Sequence, residues 1–212
     1  MICGAHRVAL AALLVGSTLL SLVAAEAAFR LYDIGLAAFS YEKTRGTVRL
    51  GFSGAVRRAE HPEVRFELKP GLDQSFKLAR LQTNSIGLND REYSRAKGER
   101  TFRVAVIGDS QSMASGVHRD ANYHALLENR LDPTAFGFDT IEFVNFAVGA
   151  YTPADYRDVL EYKALGWSPD LVLIGLTPGN DEIFNWNPER TRPFREKPVQ
   201  NGFYRSFLLD RI

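Results

Sequence analysis

The chain has 212 residues, a length that suits one domain or one domain with an appended segment. Its 26 lysines and arginines nearly balance its 25 aspartates and glutamates, so the broad basic field of a nucleic-acid binder is excluded. Hydrophobic residues make up 45% of the chain, which is enough to bury a core and excludes a mostly disordered protein. The single cysteine, Cys3, excludes an intramolecular disulfide and a thiolate zinc site.

The first predicted element is an apolar helix over the 18 uncharged residues from Val8 to Ala25. A helix of 18 residues spans roughly 27 Å, close to the hydrocarbon thickness of a bilayer. The sequence favours an uncleaved anchor that continues to Ile34; a signal peptide cleaved at Ala25-Glu26-Ala27 and a buried core helix are the alternatives. Arg7 before the run predicts a cytoplasmic N terminus, so we expect a membrane-anchored, extracytoplasmic protein, or a secreted one after cleavage.

Between the apolar helix and Thr101 the sequence predicts little regular structure. Residues 38–60 are polar and irregular, which is typical of a solvated juxtamembrane linker. Residues 63–84 alternate between apolar and polar in places, and Lys69-Pro70-Gly71 predicts a turn between two short strands. We therefore divide the chain into an anchor or signal segment (1–37), a linker with a small β-rich lead-in (38–100) and an α/β domain (101–212).

From Thr101 onward, strands and helices alternate. Compact apolar runs predict strands, periodic stretches predict helices, and Thr152-Pro153-Ala154-Asp155 supplies an N-cap, a first-turn proline and a capping-box acid. The predicted order is strand 102–107, helix 123–131, strand 141–146, helix 152–165 and strand 170–176. This order is typical of a doubly wound parallel α/β sheet, which places its chemistry at the carboxyl ends of its strands.

Each predicted strand ends in small or polar residues. The three strand ends carry Gly108-Asp109-Ser110, the stretch from Asn145 to Tyr151, and Pro178-Gly179-Asn180-Asp181. A serine at a strand-to-helix turn lies with its own N–H near a helix N-terminus, where an oxyanion is favoured. Donors from the two neighbouring loops would complete an oxyanion hole, so the pattern predicts acyl transfer with Ser110 as nucleophile.

The same stretches resemble the conserved blocks of the GDSL/SGNH hydrolase superfamily. VAVIGDSQSMASGV (104–117) resembles the first block, NFAVGAYT (145–152) the second and PGND (178–181) the third. TNSIGLNDREY (83–93) resembles the lead-in of membrane-anchored members, so the likeness covers about residues 8 to 190. It implies the flavodoxin-like SGNH fold, ester chemistry, Ser110 as nucleophile, and Ser110 and Asn180 in the oxyanion hole.

The second block departs from the family pattern at one position. The family usually has glycine directly before the residue matched by Tyr151, whereas this chain has Ala150 there and Gly149 one residue earlier. The Ala150 N–H can serve as the oxyanion donor if its φ is negative. Gly149 is the alternative donor.

A histidine that could act as the general base of a Ser-His-Asp site is missing at the place in the sequence where the family has it. The family takes its histidine from a late Asp-x-x-His block, and none of His6, His61, His118 and His124 follows Asn180. Only 112 residues run from Thr101 to Ile212, whereas a five-stranded doubly wound sheet needs roughly 150. We therefore expect a chain truncated before that block and inactive as it stands. A degenerate relative and a partner-completed domain are the alternatives.

The predicted function is ester hydrolysis on a small-molecule or glycan substrate. An O-acetyl transferase or deacetylase of envelope polysaccharide, and a non-catalytic envelope binding protein that keeps the fold, are the competing hypotheses. Clustered histidines and cysteines are missing from the sequence, and no P-loop or Gly-x-Gly-x-x-Gly follows a predicted strand. We expect no metal, no cofactor and no nucleic-acid partner.

Overall fold

A computed structural model describes residues 2–179 and 199–209. Its first element, α1, is one uninterrupted helix, Ile2–Ile34, which confirms the predicted continuation of the apolar helix. The segment His6–Phe39 is long and apolar enough to cross a membrane, and its most apolar stretch is not buried against the rest of the chain. A buried core helix is therefore wrong, whereas a membrane anchor or a signal helix fits.

The lead-in contains two small antiparallel sheets. Strand β1, Val56–Arg57, pairs with β2, Glu67–Leu68. Strand β3, Asp73–Phe76, pairs with β4, Ala79–Gln82. The predicted hairpin around Lys69-Pro70-Gly71 is therefore wrong, because β2 and β3 do not pair with each other; the hairpin lies one strand later, between β3 and β4.

The hairpin turns at Lys77 and Leu78, whose φ angles are 49° and 64°. Two consecutive left-handed residues match the right-handed twist of the flanking strands, so a two-residue hairpin loop adopts this conformation. Lys69-Pro70-Gly71 instead connects β2 to β3, because β2 pairs with the earlier strand β1.

Residues 38–60 are irregular, as predicted, but they are packed rather than solvated. They contain 3-10 helices, Gly35–Phe39 at their start and Lys43–Thr47. Thr44 and Ser53 are fully buried, and Ala55 and Val56 belong to the main hydrophobic core.

The α/β part contains a parallel sheet of three strands. The strands are β5, Thr101–Gly108, β6, Thr140–Asn145, and β7, Leu171–Gly175, in the order β6-β5-β7. In this sheet Val104 is aligned with Phe143 on one side and with Leu171 on the other. All three predicted strands are confirmed within one or two residues at each end.

Helices between the strands cover the sheet. Helix α2, Tyr123–Arg130, is capped by the Asn122 side chain, which accepts from the Ala125 N–H at 2.9 Å. Helix α3, Pro153–Val159, begins with the predicted capping box of Thr152 and Asp155. The chain then continues as a π-helix, Leu160–Ala164, and a 3-10 helix, Leu165–Trp167, where the sequence predicts a single helix.

Alternate side chains of β5 pack into two separate hydrophobic cores on opposite faces of the sheet. Val104 and Val106 pack with Ile141 and Phe143 in the smaller core, next to Leu131 at the end of α2. The larger core joins the other sheet face to α3, the 3-10 turn after it and the lead-in; its members include Ala105, Ile107, Val144, Phe146, Tyr156, Val159, Trp167, Phe66 and Leu68. The central strand β5 is thus buried on both faces, as its continuous apolar sequence predicts, whereas Leu171 and Ile174 of the edge strand β7 are about half exposed.

Candidate functional site

The loops that follow β5 and β7 meet at the carboxyl edge of the sheet. Asp109, directly after β5, is buried, and its Oδ1 accepts from the Gln111 N–H at 2.9 Å. The same oxygen accepts from the Thr177 hydroxyl at 3.1 Å, which joins the two loops. Asp109 therefore acts as a structural brace between the two loops.

The strand order makes this edge a favoured place for a ligand. The chain leaves β5 toward β6 on one side and returns past β5 to reach β7 on the other. Crossovers in opposite directions run over opposite faces of the sheet, and they open a crevice at the carboxyl ends of the strands where they diverge. Ser110 and Thr177 both lie at this crevice.

A close approach of β5 and β7 holds the loop down. Gly108 and Gly175 are paired in register, and the side chain of Ser112 packs over both of them. A Cβ on either glycine would overlap Ser112 Oγ. The two glycines thus leave room for the Ser112 side chain at the base of the loop 109–116, which we call the Ser110 loop.

Ser110 is half-buried at the start of a run of turns. The Met113 N–H donates to Asp109 O, and the Ser115 N–H donates to Ser110 O, both at 2.9 Å. No α-helix begins at Ser110, so the predicted strand-to-helix turn is wrong: a single helical turn takes its place, followed by the 3-10 helix Arg119–Ala121 and then α2. Among the residues that the structure describes, none forms a hydrogen bond with the Ser110 hydroxyl.

The loop of the second block lies against Ser110. A Cβ built on Gly149 would stand 3.6 Å from Ser110 Cβ. The Gly149 N–H, however, is directed at the sulfur of Met113, with 3.2 Å between N and Sδ. Gly149 is therefore close enough to serve the site, but its N–H faces a buried thioether instead of the position above Ser110.

Ala150 adopts a backbone conformation that favours glycine. The Tyr151 N–H donates to Val148 O at 3.2 Å and closes a turn in which Ala150 has a φ of +70°. The Ala150 N–H is predicted to serve as an oxyanion donor only if φ is negative. Since φ is positive, this condition is not met. The reason is steric: the third position of such a turn requires a left-handed residue.

Substituting Ala150 by glycine is expected to stabilise the fold. An L-residue in the left-handed region costs about 1–2 kcal/mol, and the added freedom of glycine in the unfolded chain offsets part of the relief, so we expect a net gain of roughly 0.5–1 kcal/mol. Urea unfolding followed by circular dichroism in detergent measures the change. Ala135→Gly, at an exposed residue without a positive φ, is the control and is expected to lose stability. A loss in both variants would contradict the prediction.

The lead-in supports this loop from the outside. Arg65 Nη2 donates to Ala150 O at 3.0 Å and forms an ion pair with the buried carboxylate of Asp155 at 3.1 Å. The Tyr151 hydroxyl donates to Phe66 O at 2.5 Å. The second-block turn is thus fixed between α3 and the lead-in.

Two buried asparagines hold the Ser110 loop by hydrogen bonds to its backbone. Asn89 Nδ2 donates to Met113 O at 2.8 Å, and Asn145 Nδ2 donates to Ser112 O at 3.0 Å. Sequence reasoning missed both as supports of the site. The available signals were the position of Asn89 in the family-like lead-in and a polar residue, Asn145, at the end of an apolar strand.

Asp90 and His124 form a buried titratable pair beneath the loop. Asp90 Oδ2 accepts from the Asn145 N–H at 2.9 Å, and it lies 3.8 Å from Nε2 of the fully buried His124. Desolvation raises the pKa of Asp90 to about 7 and lowers the pKa of His124 to about 4. Near neutral pH the imidazole is therefore uncharged.

None of the four histidines forms a hydrogen bond with Ser110. His6 is exposed on α1, His118 is exposed beyond the loop, and His61 stacks on the Tyr162 ring with centroids 4.6 Å apart. His124 is buried, and no hydrogen bond joins it or any other described histidine to Ser110. The structure thus brings Ser110 and Gly149 together and provides no general base within the described residues.

Asn180, the predicted donor of the third block, lies outside the described residues. Within residues 2–179 and 199–209, no group of three or more His, Cys, Asp or Glu side chains is placed to hold a metal ion. A comparison with protein-family models, curated proteins and solved structures found no match, so a functional assignment rests on the residues and geometry of the chain itself.

Proposed function

We propose that the chain is a serine hydrolase of the SGNH/GDSL type that acts on carboxyl esters or carbohydrate O-acyl groups. The observation that supports this best is the convergence at one sheet edge: Ser110, the Gly149 turn and the end of β7 at Thr177 all meet there. Their order along the chain follows the three family-like blocks. A serine at this sheet edge whose hydroxyl has no hydrogen-bond partner among residues 2–179 and 199–209 suits nucleophilic attack.

In the proposed reaction, Ser110 Oγ attacks the ester carbonyl, the C–O bond to the alcohol breaks, and the alcohol leaves with the proton that the serine loses, so the acyl group stays on Ser110. The oxyanion would accept hydrogen bonds from the Ser110 N–H and the Asn180 amide. The Gly149 N–H would join them if the turn rotated away from Met113. Because no described histidine bonds to Ser110, we expect both steps to be slow in this chain. With an activated ester, whose leaving group needs no proton, hydrolysis of the acyl-enzyme is expected to be the slower of the two.

A non-catalytic binding module is the second candidate. It is favoured by one observation, the Gly149 N–H that is directed at Met113 Sδ instead of the space above Ser110. In this case the crevice would hold an ester or glycan without cleaving it, and Ser110 would stay unmodified.

Acylation by an activated ester distinguishes the two candidates. After incubation with p-nitrophenyl acetate, mass spectrometry of the 104–119 tryptic peptide is expected to place an acetyl group on Ser110, because slow deacylation lets the acyl-enzyme accumulate. Ser110→Ala is expected to lower acetylation of this peptide by at least about tenfold. Ser115→Ala, from the same loop, is the matched control and should retain it. Equal acetylation of wild type and Ser110→Ala would refute the proposal.

A further inference from the structure

Helix α1 is longer than a bilayer requires. Its 33 residues extend about 50 Å, whereas the uncharged run from Val8 to Ala25 spans roughly 27 Å. Residues 26–30 therefore occupy roughly the next 7 Å, which matches the thickness of one headgroup layer. If the run spans the membrane, residues 26–30 and the side chains that contact them lie at the level of the lipid headgroups.

The segment 201–209 contacts α1 at this level through Glu26. The carboxylate accepts from the Ser206 hydroxyl at 2.8 Å and from the Phe207 and Leu208 N–H groups, both at 2.9 Å. It also forms an ion pair with Arg30, one helical turn later, at 2.8 Å. A single side chain of α1 thus binds three donors that lie about 180 residues further along the chain.

Arg30 completes this contact. Its Nη2 donates to Phe203 O at 2.9 Å and to Arg205 O at 2.7 Å. Its guanidinium lies 4.9 Å from the centroid of the Phe207 ring, which is buried. We call these contacts of Glu26 and Arg30 with residues 203–208 the clamp.

Exposed apolar and aromatic side chains surround the clamp. They come from the 3-10 helix after α1, the residue range just beyond it and the segment 201–209: Leu36 (82% exposed), Phe39 (53%), Tyr41 (49%), Tyr204 (80%) and Leu209 (70%). Tyr41 and Tyr204 are in edge contact, with ring centroids 6.0 Å apart, which joins the two parts. We call this set the collar. Aromatic side chains with a polar tip are the ones enriched at membrane–water interfaces.

We propose that the collar is a membrane-docking surface whose occupant is the headgroup layer of the bilayer, and that α1 is retained as the anchor. The collar continues directly from the exposed apolar surface of α1. The clamp fixes it to the helix, so the domain is seated on the membrane and does not hang from a flexible tether. This inference does not depend on the proposed hydrolase activity.

Retention of α1 follows from the same contacts. The alternative cleavage site, Ala25-Glu26-Ala27, is helical and contains the side chain on which the clamp depends. Cleavage after Ala27 would remove Glu26 and leave the Phe207 and Leu208 N–H groups without this acceptor. A folded chain with the clamp formed therefore requires an intact helix.

Depth-dependent fluorescence quenching tests the docking surface. In a Cys3→Ala background, Tyr204→Cys carries an NBD label, and the full chain is placed in phosphatidylcholine vesicles containing headgroup spin-labelled lipid. We expect quenching at least about threefold stronger than for a label at Phe136→Cys, an exposed apolar residue between α2 and β6. Leu209→Cys serves as a second label position. Equal quenching at positions 204, 209 and 136 would overturn the docking surface.

The intact mass of the chain isolated from cell membranes tests retention. A protein that still carries residues before Glu26 is the expected result. A mature chain beginning at Ala28 would overturn the retained anchor. Glu26→Ala, measured in the same vesicles, is expected to reduce quenching at position 204 toward the level at 136, and unchanged quenching would show that the clamp does not hold the collar.

Discussion

Replacing Gly175 by alanine is expected to destabilise the folded chain by about 2–3 kcal/mol, the upper part of the 1–3 kcal/mol range typical of an overpacked site. The added methyl group would overlap Ser112 Oγ but would lie 3.4 Å from Ser112 Cβ, an ordinary contact. Ser112 is buried, so its hydroxyl has little room to rotate away. Urea unfolding of the full chain in detergent measures the loss. Gly51→Ala, whose Cβ would meet only Val56 Cγ2 at 3.5 Å, is the control that should be tolerated.

A second substitution makes this prediction sharper. Ser112→Ala removes the overlapping oxygen, so it is expected to restore most of the stability lost in Gly175→Ala. It is not expected to rescue Gly108→Ala, because that methyl group would stand only 2.7 Å from Ser112 Cβ and 3.0 Å from Gly175 O. Rescue of both variants, or of neither, would contradict the packing of Ser112 over the glycine pair.

The second large effect concerns the pH dependence of stability. Burial raises the pKa of Asp90 to about 7, so between pH 4 and 7 the folded chain keeps a proton that the unfolded chain has lost, and stability falls as pH rises. Burial lowers the pKa of His124 to about 4, so between pH 4 and 6.5 the unfolded chain holds the extra proton, and stability rises with pH. The two contributions oppose each other, and in the wild type they are expected to cancel from pH 4 to 6.5.

Single substitutions are expected to reveal each contribution. In Asp90→Asn only the contribution of His124 to the pH dependence remains. Each pH unit corresponds to about 1.4 kcal/mol. The free energy of unfolding relative to wild type should therefore rise by roughly 3 kcal/mol from pH 4 to 6.5. In His124→Gln it should fall by a similar amount over the same interval. Unfolding free energies at several pH values, taken as differences from wild type, remove the contribution of all other groups. Parallel pH profiles for the three proteins would contradict the assignment.

The elements that sequence reasoning predicts well are those with local causes. The strands β5, β6 and β7 are continuous apolar runs, and α3 begins where Thr152 and Asp155 satisfy the first free N–H groups. Such signals act within a few residues, so no tertiary information is needed to interpret them. The apolar helix α1 is likewise predictable from its own composition and length.

The features that sequence reasoning missed depend on distant partners. Lys77 and Leu78 adopt left-handed conformations because β3 must pair with β4, although neither residue type favours a turn. The sequence of residues 38–60 predicts a solvated segment because its apolar residues follow no helical or strand period. In the structure, Ala55 and Val56 nevertheless pack into the larger core of the sheet.

The candidate site was predictable only in part. The position of Ser110 follows from the strand before it, whereas the direction of the Gly149 N–H depends on Met113, a residue of another loop. The left-handed φ of Ala150 likewise follows from a turn closed by Val148 and Tyr151 and not from the alanine itself.

The clamp has a consequence for the order of events during synthesis. Its hydrogen bonds join residues that are 173 to 182 positions apart, so Glu26 and Arg30 leave the ribosome long before their partners exist. At about 5–20 residues per second, the helix waits roughly 10 to 35 s for them. Closure of the clamp is therefore a late step that requires translation beyond Leu208, and a nascent protein halted before Ser206 would remain tethered yet unable to settle on the bilayer.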